Sequence, residues 1–139
     1  MSPRDTRTGD VLEQMILPAL ERGGYNYERQ ANIGRRFGVG RHKVDALAGK
    51  DQRKILVSLK WQQVSGTAEQ KVPFEVISMI EAMETGQYAA AYVVLGGINW
   101  KFKDFYLKRG LDIYIPKGAA MVTLISLEEF VVKANQGKL

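Results

Sequence analysis

Asp45 and Lys60 are the residues of this chain whose types and spacing could do chemistry together. They stand on either side of a short loop at Gly49–Arg53. One run reads Arg41-His-Lys-Val-Asp45, the other Lys54-Ile-Leu-Val-Ser58-Leu-Lys60-Trp-Gln-Gln63. The pattern predicts a β-hairpin centred near residues 51 and 52, which sets Asp45 opposite Ser58 or nearly so. With a period of 2, Ser58 and Lys60 project from one face of their strand. Ile55, Leu56, Val57 and Leu59 fall on both faces, as in a strand covered on two sides. A lysine there is costly unless it is paired or opens onto a cleft. A carboxylate and a lysine at the edge of a buried sheet suggest metal-dependent attack on a phosphodiester. The plainer alternative is a structural ion pair across the hairpin.

The elements that must position this pair can be read along the chain. Residues 8–22 read as a helix that Thr8 or Asp10 can cap, with Val11, Leu12, Met15, Ile16, Ala19 and Leu20 at helical spacing. Pro18 inside it should kink or shorten it, and Gly23-Gly24 ends it. Residues 25–33 read as a strand and 34–40 as a turn rich in glycine and arginine. Residues 42–48 and 54–61 form the hairpin, and 64–67 a loop. A second helix spans about 68–85, with Val72, Val76, Met79, Ile80 and Met83 on its apolar face and Gly86 as its stop; Pro73 suggests the true start. Residues 88–95 are an apolar strand, 100–109 a short helix, and 111–115 and 121–125 short strands. Ser126-Leu-Glu-Glu129 has capping-box spacing and opens a last helix to about Asn135. The order predicts an α/β fold: a mixed sheet, an antiparallel meander plus a parallel strand, flanked by helices on both faces.

With 139 residues and no linker or repeat, the chain is expected to be a single domain. It has no cysteine, which excludes disulfides and Cys-ligated zinc; its lone histidine, His42, excludes a His-rich zinc site. No apolar leader or membrane-length run is present, so cytoplasmic is the default location. The 20 Lys and Arg against 15 Asp and Glu give a net charge of +5. Arg35, Arg36, Arg41, His42 and Lys43 gather around Gly34, Gly38 and Gly40, and Lys101, Lys103, Lys108 and Arg109 form a second group. These are either solvated patches or phosphate contacts flanking the Asp45 hairpin. Gly38-Val-Gly40 lacks the strand–loop–helix context of a dinucleotide loop. Gly96-Gly97 before the Trp100 helix is read as a turn rather than an anion site.

In this order the elements resemble the PD-(D/E)XK nuclease superfamily, the restriction-endonuclease-like fold, over roughly residues 8–96. The resemblance implies that Asp45 is the aspartate of the second strand and Lys60 the lysine of the third, with Glu13 matching the acid of the first helix. The residue two before the lysine should be acidic, and here it is Ser58. Some restriction enzymes of this fold carry serine there and supply the acid from the following helix; Glu75, 15 residues after Lys60, fits that scheme. Compact homing endonucleases of the fold can also use a neutral side chain there, with the first-helix glutamate completing the metal ligands. The implied catalytic set is Asp45, Lys60, Glu13, Ser58 and Glu75, with Asp45, Glu13 and Glu75 as candidate metal ligands. Glu28 ranks below both glutamates.

The resemblance implies Mg²⁺, for which Mn²⁺ can substitute. Mg²⁺ needs only one or two carboxylates beside substrate phosphates and water, so Asp45 with Glu13 or Glu75 suffices. Each glutamate also has a bland reading, Glu13 as a first-turn acid facing the helix dipole and Glu75 as a surface residue. Arg35, Arg36, Arg41, His42, Lys43, Gln62 and Gln63 are candidate DNA contacts, with turn hydrogen bonding as the alternative for the two amides. The expected activity is site-specific cleavage of double-stranded DNA, of restriction or homing type. Cutting both strands needs two active centres, hence a homodimer or homotetramer. The rivals are a Holliday-junction resolvase of the same fold and a DNA-binding module whose site has decayed through Ser58.

Overall fold

The computed structural model describes residues 7–63 and 67–139, so most of the loop expected at 64–67 lies outside the described residues. The first helix is α1 (Arg7–Val11), a π-helical turn (Leu12–Ile16) and α2 (Leu17–Arg22). The widened turn ends where the Leu17 N–H bonds the Leu12 carbonyl, one residue before Pro18. Proline has no N–H and its ring crowds the carbonyl four residues back, so the helix loosens there. Thr8 and Asp10 lie inside α1 rather than capping it.

Three antiparallel strands follow: β1 (Asn26–Arg36), β2 (Gly40–Lys50) and β3 (Arg53–Gln62). The β2–β3 turn is Asp51-Gln52, both at positive φ (51° and 66°), the geometry that matches the twist of a two-residue hairpin. The β1–β2 turn is shorter than expected. Strand pairing runs through Arg35↔Arg41 and Arg36↔Gly40 and leaves only Phe37–Val39 to turn. Arg35, Arg36, Arg41, His42 and Lys43 are therefore ribbon residues, not loop residues.

Helix α3 (Ala68–Glu84) crosses to β4 (Ala90–Gly97), which lies parallel to β3. Pro73 does not begin α3 but sits inside it. Its missing N–H would orphan the Glu69 carbonyl, and the Tyr106 hydroxyl donates to that oxygen instead (2.7 Å). Beyond β4 come α4 (Lys103–Leu107), then a 3₁₀ turn (Gly110–Ile113) where a strand was expected, then β5 (Val122–Ser126) and α5 (Leu127–Asn135). The 111–115 segment is rich in β-formers, but β4 already has β3 and β5 as neighbours, and Ile113 and Tyr114 stay exposed. Ser126 caps α5 as expected, its Oγ accepting the Glu129 N–H (3.2 Å).

Among the described residues the sheet has five strands in the order β1-β2-β3-β4-β5, with the last two parallel to β3. One face packs Leu12 and Ile16 of the π-helical turn, Leu20 of α2 and Phe130 of α5 against Ile55, Val57, Leu59 and Tyr92. The other packs Val72, Val76 and Met79 of α3 against Leu56, Val93 and Leu95. The mixed sheet covered on both faces is the expected architecture. No helix among the described residues is long and apolar enough to cross a membrane.

Candidate active site at the divergence of β2 and β3

The β2–β3 ladder stops at Ala46↔Val57. One residue further, Asp45 takes over a ladder bond with its side chain: its Oδ2 accepts the Leu59 backbone N–H (2.6 Å). Beyond Asp45, β2 remains paired to β1 but no longer to β3. The two strands thus part beside Ser58 and Lys60.

Strand alternation also breaks at this point. Ala46 and Ala48 pack toward α1, α2 and α5, whereas Val44 packs toward α3. In an unbroken strand residues 44, 46 and 48 would share a face. Gln30, between the partners of Val44 and Ala46 on β1, has φ of 49°, so both strands of the ribbon turn over together. The nearby Gln30 side chain also favours the ionised form of Asp45. The turnover carries His42, two residues before Val44, to the α3 side of the sheet.

There it meets Glu75. This carboxylate is almost fully buried (4% exposed) and receives four donors. His42 Nε2 lies 2.9 Å and an Arg36 guanidinium nitrogen 3.4 Å from Oε1. Ser58 Oγ and Lys60 Nζ are each 3.1 Å from Oε2. Burial alone would raise the Glu75 pKa; the His42 hydrogen bond and the Lys60 charge outweigh it and hold it at about 2. Glu75 is therefore ionised at neutral pH, and the His42 nitrogen facing it carries a proton, since a carboxylate only accepts.

Asp45 is tuned the other way. Burial pushes its carboxyl above the ordinary aspartate value, against the Leu59 N–H and the Lys60 charge; the Glu75 charge raises it further. Lys60 bonds Glu75, not Asp45, and among the described residues Asp45 has no ion pair. A partly buried carboxylate short of counter-charge suits a cation. Glu75 as it stands does not, because both its oxygens are taken. Among the described residues no three His, Cys, Asp or Glu side chains gather into a metal-binding group.

The remaining candidates are dispersed. Glu13, in the π-helical turn, is half exposed and ion-paired to Arg29. Glu28 is exposed on β1. Arg35, Arg41 and Lys43 are exposed along the ribbon, while Arg36 turns inward over the Phe74 ring (5.1 Å), with its Nε buried and unpartnered among the described residues. His42, read from the sequence as a phosphate or loop contact, is buried on Glu75. Gln62 is also buried, giving its amide N–H to the Asn99 carbonyl (2.6 Å) and accepting the Glu69 N–H (3.2 Å). The Gln63 carbonyl accepts from Asn99 (3.4 Å).

Gln30 and the Glu75 role of His42 are not visible in the sequence. Residues 42, 44, 46 and 48 alternate as if they shared one face, and nothing local marks the turnover. Glu69 is a further unread residue: buried in the first turn of α3, it accepts the N–H groups of Lys101 and Phe102 (2.6 Å for Phe102) and fixes the approach to α4.

A family model for the PD-(D/E)XK nuclease superfamily domain matches residues 4–138. The chain belongs to the PD-(D/E)XK nuclease superfamily. Among solved structures it is similar to a crystal structure of a protein of unknown function, AF1548, with a TM-score of 0.52 and 10% sequence identity. The likeness covers 86% of this chain and 62% of that one, so this chain spans less than two thirds of its length, and at that identity it speaks for the fold alone. No curated protein matches the chain. In the superfamily's pattern an acid is expected two residues before the lysine. Here Ser58 holds that position, and a carboxylate from α3 lies within hydrogen-bond distance of both Ser58 and Lys60.

Proposed function

We propose that this PD-(D/E)XK protein is a Mg²⁺-dependent endodeoxyribonuclease that hydrolyses phosphodiester bonds of double-stranded DNA at specific sites, working as a homodimer or homotetramer. The observation that carries the reading is the Glu75 carboxylate bound by Ser58 and Lys60 beside Asp45. It supplies from the following helix the acid that the Ser58-Leu-Lys60 strand lacks. The cation would supply charge neutralisation at the scissile phosphate and a more acidic water.

Asp45 fits that cation best, being partly buried, short of counter-charge and placed where β2 parts from β3. Glu75 fits only if Lys60 leaves Oε2, and Glu13 only if it leaves Arg29. Lys60 is partly exposed (21%) and can turn its ammonium from Glu75 toward a substrate phosphate, where it would steady developing negative charge. Ser58 keeps its hydroxyl on Glu75 meanwhile. Exposed Arg35 and Arg41, neighbours across the ribbon, suit a groove of the duplex, where arginine pairs with guanine.

A second reading, a DNA-binding module without cleavage, is favoured by the four donors that already satisfy Glu75. Incubation of supercoiled plasmid, linear duplex and four-way junctions with Mg²⁺, with Mn²⁺ and with EDTA separates the readings. Discrete metal-dependent fragments, lost in Asp45→Ala and Lys60→Ala, establish the nuclease. Preference for junctions establishes a resolvase. DNA binding that ignores metal and never leads to cleavage establishes the module.

A further inference from the structure

We infer that His42 is the positioning residue for Glu75: it clamps Oε1 so that Oε2 stays aimed at Ser58 and Lys60, and would stay aimed at the cation once Lys60 turns to substrate. The inference rests on the nuclease reading but concerns a residue to which that reading gives no task.

The placement of His42 is unusual for its strand. Regular alternation from Ala46 and Ala48 would put it on the α1/α5 face, away from α3. It reaches α3 only because the ribbon turns over at Gln30 and Asp45, where Gln30 adopts the left-handed conformation that a side-chain-bearing residue rarely takes. The same turnover frees Asp45 to bond Leu59 where β2 parts from β3. One backbone feature therefore sets both the Asp45 carboxylate and the clamp on Glu75.

The environment makes the hydrogen bond indispensable. His42 is 2% exposed, and burying an imidazole without a partner is costly. Among the described residues its partner is Glu75 alone. The terminal torsion of glutamate is broad, so packing around its stem does not fix the carboxylate plane. Fixing it takes donors on both oxygens. On Oε2 these are Ser58 and Lys60; on Oε1 they are His42 at 2.9 Å and Arg36 at 3.4 Å, the longest of the four.

The donors also differ in their other duties. Lys60 and Arg36 are partly exposed (21% and 24%), and both carry charge that a DNA phosphate would attract. Once either turns to substrate, Glu75 loses a donor at the moment its geometry matters. His42 and Ser58 are buried and have no such competing role. Ser58 alone leaves the carboxylate free to swing about Oε2; His42 prevents that.

The test compares His42→Gln, which keeps an N–H donor, with His42→Leu, which fills similar space without one. Each folded protein is assayed for Mn²⁺ affinity by electron paramagnetic resonance, for duplex affinity in EDTA, and for kcat and KM of cleavage in Mg²⁺. Loss of an outer hydrogen bond to a metal-site carboxylate lowers metal affinity or rate by ~10–100-fold. His42→Leu is expected to lose that factor in Mn²⁺ affinity and kcat, with KM and metal-free DNA affinity unchanged; His42→Gln should recover most of it. Equal behaviour of the two folded variants, whether both active or both inactive, overturns the inference. If His42→Leu does not fold, His42→Gln and His42→Ser carry the same comparison of long and short donor. A native protein that binds Mn²⁺ but cuts nothing overturns the nuclease reading and leaves the clamp to be judged by Mn²⁺ affinity alone. A native protein that binds no Mn²⁺ overturns both.

Discussion

Asp45 and Glu75 are acids of one site with opposite environments. Glu75 is nearly sealed from solvent, yet the His42 hydrogen bond and the Lys60 charge hold its pKa at about 2. Asp45 is more open to water but has a backbone N–H and, among the described residues, no ion pair, and burial pushes its pKa up. Burial does not decide the charge state; the number and charge of the donors does. Glu75 is the anchored acid and Asp45 the one left wanting a cation. Enzymes commonly keep such an unsatisfied group at the cost of stability.

The contrast breaks most sharply in activity. Asp45→Ala should lower cleavage in Mg²⁺ by at least ~10³-fold, about 4 kcal/mol of lost transition-state stabilisation. Plasmid nicking rates with the native protein alongside would show it, and retained cleavage would remove Asp45 from the metal site.

Next in size is the fold itself. Glu75→Gln leaves Lys60 and Arg36 without their buried anion and is expected to cost about 3 kcal/mol at neutral pH by urea unfolding. The cost depends on pH with a definite sign. A lowered carboxyl pKa stabilises the fold above the unfolded value of 4.5 and loses that contribution as pH falls toward about 2. The native and Glu75→Gln curves should therefore converge on acidification. A gap that stays constant from pH 7 to pH 3 would mean that Glu75 is not the anchored acid.

Asp45→Asn gives the opposite sign. The amide still accepts the Leu59 N–H and carries no charge. Because the Asp45 pKa is raised, its ionised form burdens the fold at pH above the unfolded value of 3.8, and protonation relieves the burden. The variant should be more stable than the native protein at pH 7, equal to it in acid, and inactive. Lower stability at pH 7 would sink this half of the contrast.

The smallest effects come from single neutral donors. Ser58→Ala removes one of four donors to Glu75, and Tyr106→Phe removes the donor to the carbonyl orphaned by Pro73; each should cost about 1 kcal/mol. Thermal melts of both would show whether Glu75, with three donors left, tolerates its loss better than the Glu69 carbonyl, which has none replacing it inside the helix.

Much of the fold was legible in local pattern. The hairpin turn at Asp51-Gln52, the doubly covered β3, the apolar face of α3 and the Ser126 cap all follow from period, turn residues and capping spacing. The misread places are those where a distant partner overrode local preference. Residues 111–115 carry strand-forming side chains, but β4 has β5 beside it. Pro73 suggests a helix start, but Tyr106 repairs the interior bond. In the site, Lys60, Ser58 and Asp45 stand where their strands were expected to put them, whereas His42 and Arg36 face inward rather than toward solvent.

The sequence by itself determined most of the elements, the superfamily and the Ser58-Leu-Lys60 strand, because these are set by neighbours a few residues apart. Tertiary structure alone decided which acid meets Lys60, which way His42 faces and how each carboxylate is charged. Those depend on α3 docking against β3 and on a ribbon that turns over at Gln30 and Asp45, contacts between residues far apart in the chain, which no local period records.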